Sequence, residues 1–140
     1  MVVDASFALR LLVPSVDTAA AHEHWRQWHQ ECRTLLAPTY WAVEVASGLR
    51  RLEAHDQLTG LETERALAGC FELGVDLLPV DAALARSALD WSRRLGQAKA
   101  YDAFYLAVAE LAGADLWTAD LRLVRGARQA GITWVHGLGE

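Results

Sequence analysis

The feature that most restricts the fold is an alternation. Short apolar runs that read as strands are separated each time by stretches with helical spacing, and no two adjacent strands are joined by a tight hairpin turn. Strands connected only through helices pair in parallel, and a parallel sheet must be covered on both faces. The expected fold class is therefore α/β: a three-layer α/β/α arrangement around a central, mostly parallel sheet of four to five strands. Residues 1–140 are expected to form a single domain, large enough for one hydrophobic core.

The run Met1 to Val3 predicts a buried first strand that ends at Asp4, with a short helix following from Ala5 to Val13 and stopped by Pro14. Ser15 or Asp17 is placed to cap a second helix reaching about Cys32, with Ala21, Trp25, Trp28 and Cys32 as its apolar stripe. Thr34 to Ala37 reads as a second strand and Thr39 to His55 as a helix carrying Glu44. Thr59 caps the next helix, which Gly74 closes, and Val75 to Val80 is a third strand. Asp81 caps a helix closed by Gly96. The stretch Ala100 to Ala109, AYDAFYLAVA, is apolar almost all round and predicts a buried central helix with one carboxylate, Asp102, in its first turn. Ala114 to Thr118 is a fourth strand, Asp120 caps a helix, Ile132 to Val135 is a fifth strand, and HGLGE is a tail.

Composition narrows the function classes. A chain that is 53% hydrophobic and 22% charged is globular, and charges or prolines interrupt every apolar run before it reaches membrane-spanning length. The N-terminal stretch has no basic region and no secretory signal is expected. Cys32 and Cys70 stand far apart without a CxxC, a spacing that fits neither a disulfide framework nor a zinc site and suits a reducing cytoplasm. His22, His24 and His29 do not make an HExxH pattern, so packing or solvation is expected for them. A net charge of −5 excludes bulk electrostatics as the basis of nucleic-acid binding, but not a nuclease whose metal ions supply positive charge.

Four acids fall where an α/β sheet places its chemistry. Asp4 and Asp120 follow the first and fourth strands at their carboxyl ends, Asp102 begins the buried helix, and Glu44 begins the helix after strand two. Each has an ordinary structural role open to it: the three Asp as helix caps or first-turn acids, Glu44 as a surface residue. If the four converge, like charge raises their pKa values together and calls for a cation. An all-oxygen site suits Mg²⁺ or Mn²⁺, and such a site activates water against a phosphodiester. Ser6 and Thr118 lie two residues from Asp4 and Asp120, where their hydroxyls can bond a carboxylate or a backbone amide.

In this order, VVDAS, the ExxxxLRR helix from Glu44 to Arg51, AYDAFYLAVAE and LWTAD resemble the PIN domain, most closely the VapC-type toxins of toxin–antitoxin pairs. The resemblance implies a PIN-like fold and a Mg²⁺-dependent endoribonuclease with Asp4, Glu44, Asp102 and Asp120 as catalytic and metal-binding acids and Ser6 and Thr118 in support. It also implies a homodimer and a cognate antitoxin partner. Some of the six Trp are then candidates for the dimer face, although core burial accounts for them equally. Arg122, Arg125 and Arg128 recur at helical spacing after Asp120, placed to contact RNA phosphates or to form a solvated face.

Three rivals remain. A dinucleotide-binding domain needs a Gly-rich turn after strand one, which VVDASFALR lacks. A metal-dependent phosphatase with an aspartyl nucleophile places a second Asp at position 6, where this chain has Ser. A catalytically inactive PIN-like module would use the same acids only to hold an antitoxin or RNA.

Overall fold

A computed structural model describes residues 1–139; Glu140, the last residue of the expected tail, lies outside the described residues. The element order is β1 (Val2–Val3), α1 (Ala5–Leu12), α2 (Thr18–Gln30), β2 (Leu35–Pro38), α3 (Trp41–Ala54), α4 (Gly60–Glu72), β3 (Val75–Leu78), α5 (Ala82–Arg94), α6 (Tyr101–Ala112), β4 (Leu116–Thr118), α7 (Leu121–Gln129) and β5 (Val135–Gly137). The five strands form one sheet in the order β3-β2-β1-β4-β5, and every pairing is parallel.

This order has a direct consequence for function. The chain moves outward from β1 through β2 to β3, then crosses back to lay β4 against the free side of β1. The order reverses between β1 and β4. At such a switch point the segments leaving the two strands diverge and open a crevice at their carboxyl ends. Asp4 and Asp120 are the residues that lead out of β1 and β4 into α1 and α7.

The short strands feed two apolar clusters. Val2, Ala37, Leu116 and Val135 belong to the larger one, with Leu106 and Val108 of α6. Val3, Leu35 and the partly buried Trp117 join Phe7 and Trp28 in the smaller one. Leu106 and Val108 are completely buried, which at about 1.5–3 kcal/mol per large aliphatic side chain makes α6 a principal source of stability. α6 is thus the buried central helix its sequence predicts, and all six Trp are at least partly buried within the chain.

Two boundaries differ from expectation, for the same physical reason. Ile132 does not begin the last strand. Its amide donates to the Ala127 carbonyl at 2.9 Å, while that of Gly131 (φ +77°) donates to Arg128 at 3.0 Å. This double closure of α7 needs a left-handed residue, which glycine supplies. Ile132 is consumed in ending the helix, so β5 starts three residues later and takes in His136 and Gly137, which were expected in the tail. At the end of α2, Cys32 adopts the left-handed conformation itself (φ +53°), and the Arg33 amide donates to Trp28 at 2.8 Å. Cys32 therefore leaves the stripe that Ala21, Trp25 and Trp28 form and is exposed. β3 also ends at Leu78, short of Val80, and Asp17 sits at the start of α2 without making a side-chain cap. The expected packing of the histidines holds for His24, 4.2 Å from the Trp117 ring, and for His29, 4.0 Å from that of Trp25. No helix among the described residues is long and apolar enough to cross a membrane.

Candidate metal centre

The crevice at the β1/β4 switch point is a cleft of about 540 Å³ whose wall carries Asp4, Glu44, Asp102 and Asp120 together. Four elements supply them: the ends of β1 and β4, and the first turns of α3 and α6. The cleft also needs α1 and α3 to approach closely. Gly48 provides this, because a Cβ at that position would stand 2.5 Å from the Leu9 side chain.

Asp4 is the most enclosed of the four acids, 7% exposed. Its Oδ1 accepts from the Phe7 amide and from the Ser6 hydroxyl, each at 2.8 Å, and its Oδ2 accepts from the Thr118 hydroxyl at 2.6 Å. The first of these is a helix N-cap, so capping and site-building are performed by one side chain. Burial pushes its pKa up to about 6; the three donors oppose the rise, and the charge of Asp102 adds to it. The two flanking hydroxyls are tied to the backbone as well. Ser6 Oγ accepts from the Ala119 amide and Thr118 Oγ1 from the Asp120 amide, each at 2.8 Å. Ser6 and Thr118 thereby fasten the two strand ends to each other and to the carboxylate.

Glu44 is half-buried and accepts a short hydrogen bond from the Tyr105 hydroxyl. Burial raises its pKa, the Tyr105 bond lowers it, and Asp102 raises it further. Tyr105 is itself held far above the usual phenol range by burial and by the Glu44 charge, so it remains a donor. Sequence reading did not single out Tyr105. Its position, one helical turn beyond Asp102 on an otherwise apolar helix, was the available signal.

Asp102 differs from expectation. It is not a buried carboxylate but an exposed one at the mouth of the cleft. It has no hydrogen-bond or ion-pair partner among the described residues. Packing around the cleft removes part of its hydration and raises its pKa, Asp120 adds to the rise, and Arg122 opposes it.

Asp120 caps α7 through the Arg122 amide at 2.8 Å and pairs with the same residue's guanidinium, Oδ1 to Nε at 3.3 Å and Oδ2 to Nη2 at 3.2 Å. Partial burial favours its neutral form, but these bonds and the Arg122 charge outweigh that and hold its pKa below the usual range. Arg122, read from sequence as a phosphate contact, thus faces a carboxylate of its own chain. Arg125 is exposed on α7 and lies outside the cleft wall, whereas Arg51, which the sequence reading left unassigned, lines it.

The donor set has the chemistry of a hard-cation site: four carboxylates, all oxygen, three of them in a neighbour's repulsive field. The arrangement is not that of a formed one. Among the described residues, no three His, Cys, Asp or Glu side chains are disposed so that they could hold a metal ion. Asp4, Glu44 and Asp120 each face a donor of the chain itself, and Asp102 alone faces solvent.

Comparison with known proteins places this geometry in a context. Residues 1–129 match the PIN domain family. Ribonuclease VapC9 of Mycobacterium tuberculosis is 43% identical over 93 residues, 66% of this chain and 70% of that protein. Ribonuclease VapC3 of the same organism is 33% identical over 126 residues, 89% of this chain and 85% of the relative.

Proposed function

The chain belongs to the PIN domain family, and from that premise we propose that it is a Mg²⁺-dependent endoribonuclease, with Mn²⁺ as an alternative ion, acting as the toxin of a type II toxin–antitoxin pair. The observation that carries the reading is the gathering of Asp4, Glu44, Asp102 and Asp120 on one cleft at the β1/β4 switch point. The relatives' names, both ribonucleases, support the substrate class.

In this reading the four acids hold the cation. Bound there, it supplies an activated water and positive charge for the leaving oxygen of the phosphodiester. The rest is done by the chain. Ser6 and Thr118 fix the Asp4 carboxylate so that both its oxygens are oriented before any ligand arrives. Tyr105 orients Glu44, and the rigid α6 sets Asp102 relative to both. Arg51 and Arg122, the cations of the cleft wall, are placed to bind phosphates flanking the scissile bond. The protein acts in the cytoplasm, as a homodimer held in check by a cognate antitoxin.

A second reading has one observation in its favour. The cleft already accepts an arginine, its own Arg122. An inactive module that binds an arginine-bearing antitoxin would use the same acids without catalysis.

Incubating the purified protein with RNA separates the two. The ribonuclease reading expects cleavage with Mg²⁺ or Mn²⁺, none with excess chelator, and none with Asp102→Asn. Cleavage that persists in both controls, or no cleavage under any ionic condition, overturns it.

A further inference from the structure

The geometry points to Arg122 as an internal occupant of the cation site, one that a divalent ion has to displace. The inference rests on the ribonuclease reading and names the residue that controls loading of its site.

Three observations support it. First, the guanidinium binds Asp120 through both its Nε and Nη2, at 3.3 and 3.2 Å, while its backbone amide holds the same carboxylate at 2.8 Å. Both Asp120 oxygens are therefore taken. Second, the guanidinium charge also reaches Asp102, which has no ion-pair partner among the described residues. Arg122 is thus placed to neutralise the Asp102–Asp120 side of the cleft, which is what a bound metal would do. Third, the side chain is 85% exposed, so nothing but this charge pairing holds it in place. A pair so exposed is weak, and side-chain rotation releases it readily.

The donors that meet the acids on this wall differ in what they do to its charge. Tyr105 and the Ser6–Thr118 pair engage Glu44 and Asp4 as neutral donors, which leave carboxylate charge available to a metal. Arg122, paired with Asp120, cancels charge. A divalent ion carries twice its charge and takes carboxylate oxygens directly, so loading expels the guanidinium from Asp120. The freed side chain remains anchored by its backbone at the first turn of α7, beside the cleft, where the next available anion is a substrate phosphate. Arg122 thereby serves a carboxylate before loading and a phosphate after it.

The test is Mn²⁺ binding, measured by calorimetry without RNA on the whole protein and on Arg122→Gln and Arg122→Ala. Removing the competitor is expected to tighten Mn²⁺ binding by about two- to fivefold in both variants, with unchanged far-UV circular dichroism as expected for so exposed a side chain. Arg122→Lys, which keeps the charge without the fork, is expected to fall between. Equal or weaker Mn²⁺ affinity in Gln and Ala variants overturns the inference while leaving the ribonuclease reading standing. If neither the wild type nor the variants bind Mn²⁺, the metal-dependent reading fails and the inference fails with it.

Discussion

Thr118 donates its hydroxyl hydrogen to Oδ2 of Asp4 across 2.6 Å, joining the ends of two adjacent parallel strands through residues 114 apart in sequence. Thr118 is completely buried, so neither group exchanges this partner for water. Its oxygen also accepts from the Asp120 amide. One hydroxyl therefore positions both strand-end acids.

Substituting Thr118→Val keeps the shape and removes both bonds. The buried Asp4 carboxylate and the part-buried Asp120 amide each lose a partner, at about 1–3 kcal/mol for each loss. Chemical denaturation is expected to show destabilisation of about 2–6 kcal/mol, with the m-value unchanged. Thr118→Ser, which keeps the hydroxyl, is expected to retain most of the wild-type stability.

The Asp4 carboxyl makes stability depend on pH in a direction opposite to most carboxylates. Its pKa rises from 3.8 to about 6 on folding, so the folded state favours the protonated form. Well below its unfolded-state pKa of 3.8 the group is neutral in both states and costs nothing; between there and about 6 the penalty for the buried charge grows to about 3 kcal/mol for two pKa units. Asp4→Asn removes that charge. In protein freed of divalent ions, its melting temperature is expected to exceed wild type at pH 7.5 and the difference to vanish at roughly pH 3. The gain is smaller than the full cost, because the amide has a single acceptor oxygen for the donors of Phe7, Ser6 and Thr118. RNA cleavage by the variant is expected to be lost.

Tyr105→Phe isolates the phenol hydroxyl. The bond it donates lowers the Glu44 pKa, so its removal raises that pKa and moves the acid limb of the cleavage–pH profile upward. A fall in kcat of about tenfold is expected for a misoriented acid. A purely structural role for Tyr105 would reduce stability and leave the pH profile in place.

What the sequence disclosed and what it hid follow from how far each signal acts. The parallel sheet and the buried α6 were legible because alternation and helical periodicity are local. The strand-end acids were legible because the switch point places ligands beyond strand ends regardless of side-chain detail. The end of α7 was not, because Ile132 reads as a strand residue until Gly131 takes the left-handed turn that spends its amide on Ala127. Within the site, Asp102 inside an apolar run suggested burial, yet a first-turn residue at the cleft mouth faces out while its helix faces in. Tyr105 and Glu44 meet 61 residues apart, a contact for which no periodicity speaks. The pairing of Arg122 with Asp120, only two residues away, was within reach of the sequence, since the cap that orients Asp120 also brings the guanidinium alongside it.

The most direct measurement is a crystal structure of the protein soaked in Mn²⁺, with the ion located by its anomalous signal. The account predicts a peak in the β1/β4 cleft within about 2.0–2.3 Å of carboxylate oxygens from among Asp4, Glu44, Asp102 and Asp120, distances normal for a small octahedral ion, with the Arg122 guanidinium displaced from Asp120. An empty cleft at saturating Mn²⁺, or a peak on carboxylates elsewhere with the Asp120–Arg122 pair intact, would contradict it.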